Sequence, residues 1–249
     1  MSDSGELRPR SHSRLADFRR RFKELRKNWF VAFLIDFVVI VGTAMVLSVA
    51  IKAFLIRSFY IPSGSMLETL QINDRIIVNV MAPEVMPIER GDIVVFRDPG
   101  GWLGAIQTVE KEPIQELADF VLGTFGITAP DSAEHLVKRV IGLPGDVVEC
   151  CDPQGRLIIN GVPIDEPYIA PGANPSDLEF KVTIPEGSYW VMGDNRGNST
   201  DSRFHQDLPS KGFVDENFIV GKAFVISWPV SNFKWLDNHP EVFSDVPKP

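Results

Sequence analysis

One stretch constrains this chain more than any other. Residues 29–51 read WFVAFLIDFVVIVGTAMVLSVAI, with Asp36 as the only charge. As a helix, a run of this length rises about 34 Å, enough to cross a hydrocarbon core of about 30 Å. A buried core helix is rarely so long or so uniformly apolar. A cleaved signal peptide has an apolar region of only about 7–15 residues. The run is therefore read as an uncleaved single-pass anchor, although Ser48-Val49-Ala50 imitates a small-x-small cleavage site. Asp36 lies about two turns in, where a carboxylate reaches the interface or a polar partner.

Charge gives the anchor a direction. Residues 1–28 hold nine Lys/Arg and four acids, whereas Lys52 and Arg57 alone mark the far end. The positive-inside bias places the N-terminus in the cytoplasm and the chain from about residue 57 outside. The expected organisation is a basic cytoplasmic segment (1–28), a transmembrane anchor (29–56) in the cell membrane, and an extracytoplasmic domain (57–249). Over the whole chain 33 acidic residues outnumber 25 basic ones, for a net charge of −8. The domain beyond the anchor is more acidic still, which argues against nucleic acid as a partner. Two cysteines exclude a disulfide scaffold, and no Cys/His spacing suits zinc, so no metal or cofactor is expected. Cys150 and Cys151 are adjacent; a vicinal disulfide closes a strained ring, so two thiols are expected.

The domain reads as short strands between turns. Apolar, β-branched runs fall at 74–80, 92–96, 134–141, 157–160, 162–164, 180–184, 188–192 and 221–228. Asn160-Gly161 is the favoured pair for a tight hairpin, and Pro144-Gly145 suits a type II turn. The fold class is therefore predominantly β, with antiparallel sheets, plus one N-terminal transmembrane helix. Residues 100–133 break the rhythm and look like an insertion. Within them Ile114, Leu117, Ala118, Val121, Leu122 and Phe125 recur at helical spacing after Pro113. Such a helix either covers the β core or meets the membrane or substrate; both readings stay open.

Three blocks draw attention: Pro62-Ser63-Gly64-Ser65-Met66, the run KRVIGLPGD at 138–146, and GDNRGNSTDSR at 193–203. No Gly-x-Ser-x-Gly elbow is present, and His12, His135, His205 and His239 offer no evident triad. A serine hydroxyl is a weak nucleophile unless a neighbouring base takes its proton. A lysine can do so if burial lowers its pKa from about 10.4. Lys138 sits among Leu136, Val137, Val140 and Ile141, and strand alternation puts it on one face with Leu136 and Val140. By itself this pattern also suits a lysine reaching outward to water.

Together with the anchor, the blocks closely resemble bacterial type I signal peptidases (leader peptidases), the Ser/Lys serine endopeptidases that remove signal peptides from exported preproteins. The resemblance runs from about Phe59 to Trp228 and is interrupted by the insertion. It implies Ser65 as nucleophile and Lys138 as general base. It implies that the hydroxyl of Ser63 joins the Ser65 backbone N–H in an oxyanion hole, and that Ser199 orients the lysine. Asp201 and Arg203 match residues that brace the site, and residues 90–96 (RGDIVVF) match a structural strand. Phe59, Ile61, Met66, Leu70, Leu136 and Val137 align with the walls of shallow pockets, which select small residues at positions −1 and −3, as in Ala-x-Ala, by steric exclusion. The implied partners are secretory preproteins and the lipid bilayer. Glu68 departs from the family pattern, standing where proline is usual, and a carboxylate close to Lys138 would weaken the base. Two rival readings remain: an inactive membrane-tethered β module that binds secretory partners, and a related self-cleaving Ser/Lys protease.

Overall fold

A computed structural model describes residues 29–104 and 134–249. The expected basic segment and the expected helix at 114–125 lie outside the described residues. The chain forms two compact units, Met1–Ala50 and Ile51–Pro249.

The first unit contributes most of α1 (Trp29–Phe54). Its mean hydropathy is 2.6 over Trp29–Val49, and no side chain in that span is buried. Phe33, Phe37, Ile40 and Val46 all stand largely exposed. A helix that is apolar all round suits lipid, where the helical backbone satisfies its own N–H and C=O groups. Among the described residues it is the one helix long and apolar enough to cross a membrane.

The second unit is built from twelve described strands: β1 (Ile56–Tyr60), β2 (Arg75–Asn79), β3 (Ile93–Arg97), β4 (His135–Gly142), β5 (Val147–Cys150), β6 (Leu157–Ile159), β7 (Val162–Pro163), β8 (Phe180–Thr183), β9 (Ser188–Met192), β10 (Val214–Asp215), β11 (Ile219–Trp228) and β12 (Lys234–Trp235). One sheet runs β1-β2-β11-β3-β4-β9-β10, with β12 on β11; a smaller sheet runs β7-β6-β5-β8. Every pairing is antiparallel. The fold is thus predominantly β with one N-terminal apolar helix, as the sequence indicates.

Local chemistry explains the connections. Asp146 N–H donates to Leu143 O at 3.0 Å with Gly145 at φ +88°, the geometry that the Pro-Gly pair favours. Asn160 and Gly161 both take positive φ, as a tight hairpin between β6 and β7 requires. Residues Ile93, Val94, Val95 and Phe96 of β3 are all buried, which is why this central strand reads as a continuous apolar run. One core cluster (Phe59, Ile61, Met66, Leu70, Ile76, Val78 and neighbours) gathers around β1 and β2. A second, with Val94, Phe96, Leu136, Val140 and Val191, spans β3, β4 and β9. A third lies beneath the smaller sheet.

Four strands escape the sequence reading. β1 begins two residues after α1 ends, so its apolar signal merges with the anchor. β10 and β12 have two residues each and β5 four, and none of them stands out as a separate apolar run in the sequence. The expectation of two thiols is corrected. Cys150 and Cys151, at the end of β5, form a disulfide, their sulfurs lying in bonding contact.

Gly91, at φ +88°, shows how tightly the fold closes on the segment before β3. A Cβ there would lie 1.8 Å from Asn238 O, a backbone atom with no room to retreat. Gly91→Ala should therefore destabilise the protein by more than about 2 kcal/mol. Thermal or urea unfolding of the purified protein checks this; an unchanged midpoint would contradict the packing described.

Candidate active site

The site begins where β1 ends. Ile61 N–H donates to Asp74 O, and Asn73 N–H donates to Ile61 O, both at 2.9 Å, so residues 61–73 leave and rejoin the sheet at one point. Within this loop Met66 and Leu70 are fully buried in the β1–β2 cluster, which pins the segment carrying Ser65 to the core. The turn at 193–195 holds it from the other side. Asn195 N–H donates to Ser65 O at 3.1 Å, and Asn195 Nδ2 donates to Gly64 O at 2.8 Å. Ser65 N–H makes no hydrogen bond among the described residues and stays available as a donor.

Lys138 comes from the middle of β4, paired with Val94 of β3, and is only 4% exposed. Its Nζ donates to Ser65 Oγ at 2.7 Å and to Val137 O at 3.0 Å. Burial disfavours the charged ammonium, while the carboxylates of Asp201 and Asp194 favour it. Burial wins, and the amine is lowered to about 8. Glu68 is not among the groups acting on Lys138: its side chain is exposed. Its φ of +82° is also a conformation that proline, fixed near −65°, cannot adopt.

Ser63 Oγ lies 3.4 Å from Ser65 Oγ, on the same side of the loop as the nucleophile candidate. Ser199 is buried, but its hydroxyl has no hydrogen-bond partner among the described residues. It comes close enough to Asp201 to help hold that carboxylate's pKa down without reaching hydrogen-bonding geometry. The structure therefore does not join Ser199 to the lysine amine. Asp201 and Arg203 are brought together: Arg203 Nε and Nη2 donate to the two carboxylate oxygens, each at 2.8 Å. Burial pushes Asp201 upward, but Arg203's hydrogen bonds and charge outweigh it, and the carboxyl titrates below its ordinary value. Asp201 Oδ2 also accepts from Gly193 N–H at 2.9 Å.

A cleft of about 160 Å³ opens beside Ser65 and Lys138. Of the six expected pocket residues, Phe59, Ile61, Met66, Leu136 and Val137 line it. Leu70 is not at the surface of the cleft; it is fully buried in the core behind Met66.

Sequence reasoning passed over a set of buried ion pairs. Arg139, next to Lys138 but on the opposite face of β4, donates from Nε and Nη2 to the Asp194 carboxylate at 2.9 and 2.8 Å. Thr69 donates to the same carboxylate, tying the Ser65 loop to the turn. Arg196 donates to both oxygens of Glu166 and, through Nε, to Gly193 O. Tyr168 packs its ring 4.2 Å from the Arg139 guanidinium. The available signal was the density of Arg and Asp in the two blocks, since charges that are buried need partners.

The sequence model of the family described as "Signal peptidase, peptidase S26" matches residues 34–228. A signal peptidase I of Leptolyngbya laminosa is 36% identical over 80% of this chain and 82% of its own length. A signal peptidase I of Mycobacterium tuberculosis H37Rv is 36% identical over 80% of this chain and 74% of its own. A solved signal peptidase I from Enterococcus faecalis V583 is 28% identical, covering 54% of this chain and 95% of its own, at a TM-score of 0.33. That superposition is too loose for residue-level comparison. By these relatives the β unit is that of a serine endopeptidase. The extent of the matches places it: the chain belongs to the signal peptidase family, S26.

Gly193 leaves no room for a side chain beside the Ser65 backbone. A Cβ there would lie 2.4 Å from Ser65 O and 2.2 Å from Ser199 Oγ. Gly193→Ala should push the Ser65 segment away from Lys138 and lower peptidase activity by about 10² or more, since near-attack geometry is lost. Activity assays with circular dichroism check this; a folded variant at wild-type rate would contradict it.

Proposed function

We propose that this chain removes signal peptides from exported preproteins at the outer face of the cell membrane, with Ser65 as nucleophile and Lys138 as general base. The observation that carries the reading is the 2.7 Å contact between Lys138 Nζ and Ser65 Oγ, with the amine pKa lowered to about 8. In the neutral form the amine lone pair accepts the Ser65 proton as Oγ attacks the scissile carbonyl carbon. The oxyanion that forms is met by Ser65 N–H and the Ser63 hydroxyl, donors placed where charge develops. The ammonium then returns its proton to the departing amine, leaving an acyl-enzyme on Ser65. Water, deprotonated by the same lysine, releases the signal peptide. The resemblance assigns Ser199 to orienting the amine, and what supports that role here is its buried hydroxyl, left without a partner beside the Asp201–Arg203 pair.

The cleft walls of Phe59, Ile61, Met66, Leu136 and Val137 admit small side chains and exclude large ones, which gives small-x-small specificity at positions −3 and −1. α1 anchors the enzyme, and the basic residues before it keep the N-terminus in the cytoplasm. An inactive tethered module would keep the fold and bind, but would not cut.

The base must be neutral, so the rate on a signal-peptide substrate should rise with pH through about 8 and level off above it. Ser65→Ala and Lys138→Ala should each lose at least 10²–10⁴ in kcat/KM. The double variant should be little worse than either, because the two act as one unit. Lys138→Arg should also fail, since a guanidinium does not deprotonate in this range. A folded Lys138→Ala variant within about tenfold of wild type would overturn the assignment.

A further inference from the structure

Leu103 is a cleft-lining residue that neither the family resemblance nor the dyad explains. It stands alongside Ser65, Lys138 and His135, and comes from the loop that follows β3. That loop is firmly built. The Asp98 carboxylate accepts backbone N–H bonds from Gly100 at 2.8 Å, Trp102 at 2.9 Å and Leu103 at 3.2 Å. Trp102 is buried; it meets Phe96 edge-on at 5.7 Å and stacks on His205 at 4.3 Å. Its indole N–H donates to Ser210 Oγ at 3.3 Å. Leu103 follows directly on this anchor and is 37% exposed, so the loop presents an apolar side chain that the core does not need.

Register locates Leu103 along the substrate. β3 ends at Arg97, paired with His135 at the start of β4, and the loop departs from there. Leu103 shares the cleft lining with His135, which lies three residues along β4 from Lys138. An extended substrate places the side chains of residues −1 and −3 on one face, about 6.8 Å apart. With residue −1 at Ser65 and Lys138, residue −3 falls toward His135.

Resting on the peptidase reading above, we infer that Leu103 is a specificity-determining residue that closes the subsite for position −3. Its side chain occupies space that a large residue at −3 would need, whereas the subsite for −1 is bounded by the Ser65 loop and Lys138. A difference of one methylene in an apolar pocket changes selectivity by about 10–200-fold, and Leu→Ala removes three carbons.

The test uses the full chain in detergent and two peptide series, one carrying Ala, Val or Leu at −3 with Ala at −1, the other the reverse. Leu103→Ala should raise kcat/KM for Leu at −3 relative to Ala at −3 by about tenfold or more, and leave the −1 series unchanged. Leu103→Phe should shift the −3 ratio the opposite way, so the result does not depend on one variant. Cleavage by wild type with unchanged −3 ratios in both variants would overturn the inference and leave the peptidase reading standing. Equal shifts in both series would also overturn it. No cleavage of any peptide by wild type would remove the peptidase reading and this inference with it.

Discussion

A lysine amine held out of water against a serine hydroxyl is the constraint around which this fold is arranged. In water the ammonium is the stable form up to about pH 10.4, and it cannot accept a proton. Lys138 escapes that limit because β4 lies between β3 and β9, deep in the larger sheet, and leaves the amine almost no contact with solvent. The lowering to about 8 corresponds to a few kcal/mol of disfavoured charge, which the packing of the surrounding strands must supply.

The carboxylates near the lysine pull in the other direction, and the arginines limit that pull. Asp194 is held by Arg139 and Asp201 by Arg203, each through two hydrogen bonds. A buried carboxylate so paired keeps little field to spend on a third group. These pairs add little net stability, since desolvation offsets attraction, but breaking one by removing a partner costs about 3–5 kcal/mol. Their contribution is geometric. Asp201 takes the N–H of Gly193 and Arg196 takes its C=O, so the peptide resting on Ser65 is gripped at both ends.

Much of this was legible in the sequence. The long apolar helix followed from length and hydropathy, and eight strands from apolar runs bounded by turn residues. Ser65 and Lys138 were identified by their blocks and lie in hydrogen-bond contact. What was missed depends on contacts distant in the chain. Arg139 and Asp194 are far apart in sequence, and only the pairing of β4 with β9 brings them together. Leu70 has the same apolar character as the cleft residues, and only the loop's turn sends it inward. Glu68 looked able to perturb the base because its distance from Lys138 is not written in the sequence; its backbone turns it to solvent. Ser199, whose role comes from the resemblance alone, stands buried with no hydrogen-bond partner among the described residues.

The central claim is that the fold lowers the Lys138 pKa to about 8, so that a substantial fraction of the amine is neutral near physiological pH. Titration of lysine side chains by NMR, comparing the wild-type protein with Lys138→Arg to assign the signal, measures this without relying on turnover. The account predicts one lysine titrating near 8, absent from the variant. A Lys138 signal titrating near the ordinary 10.4 would contradict it.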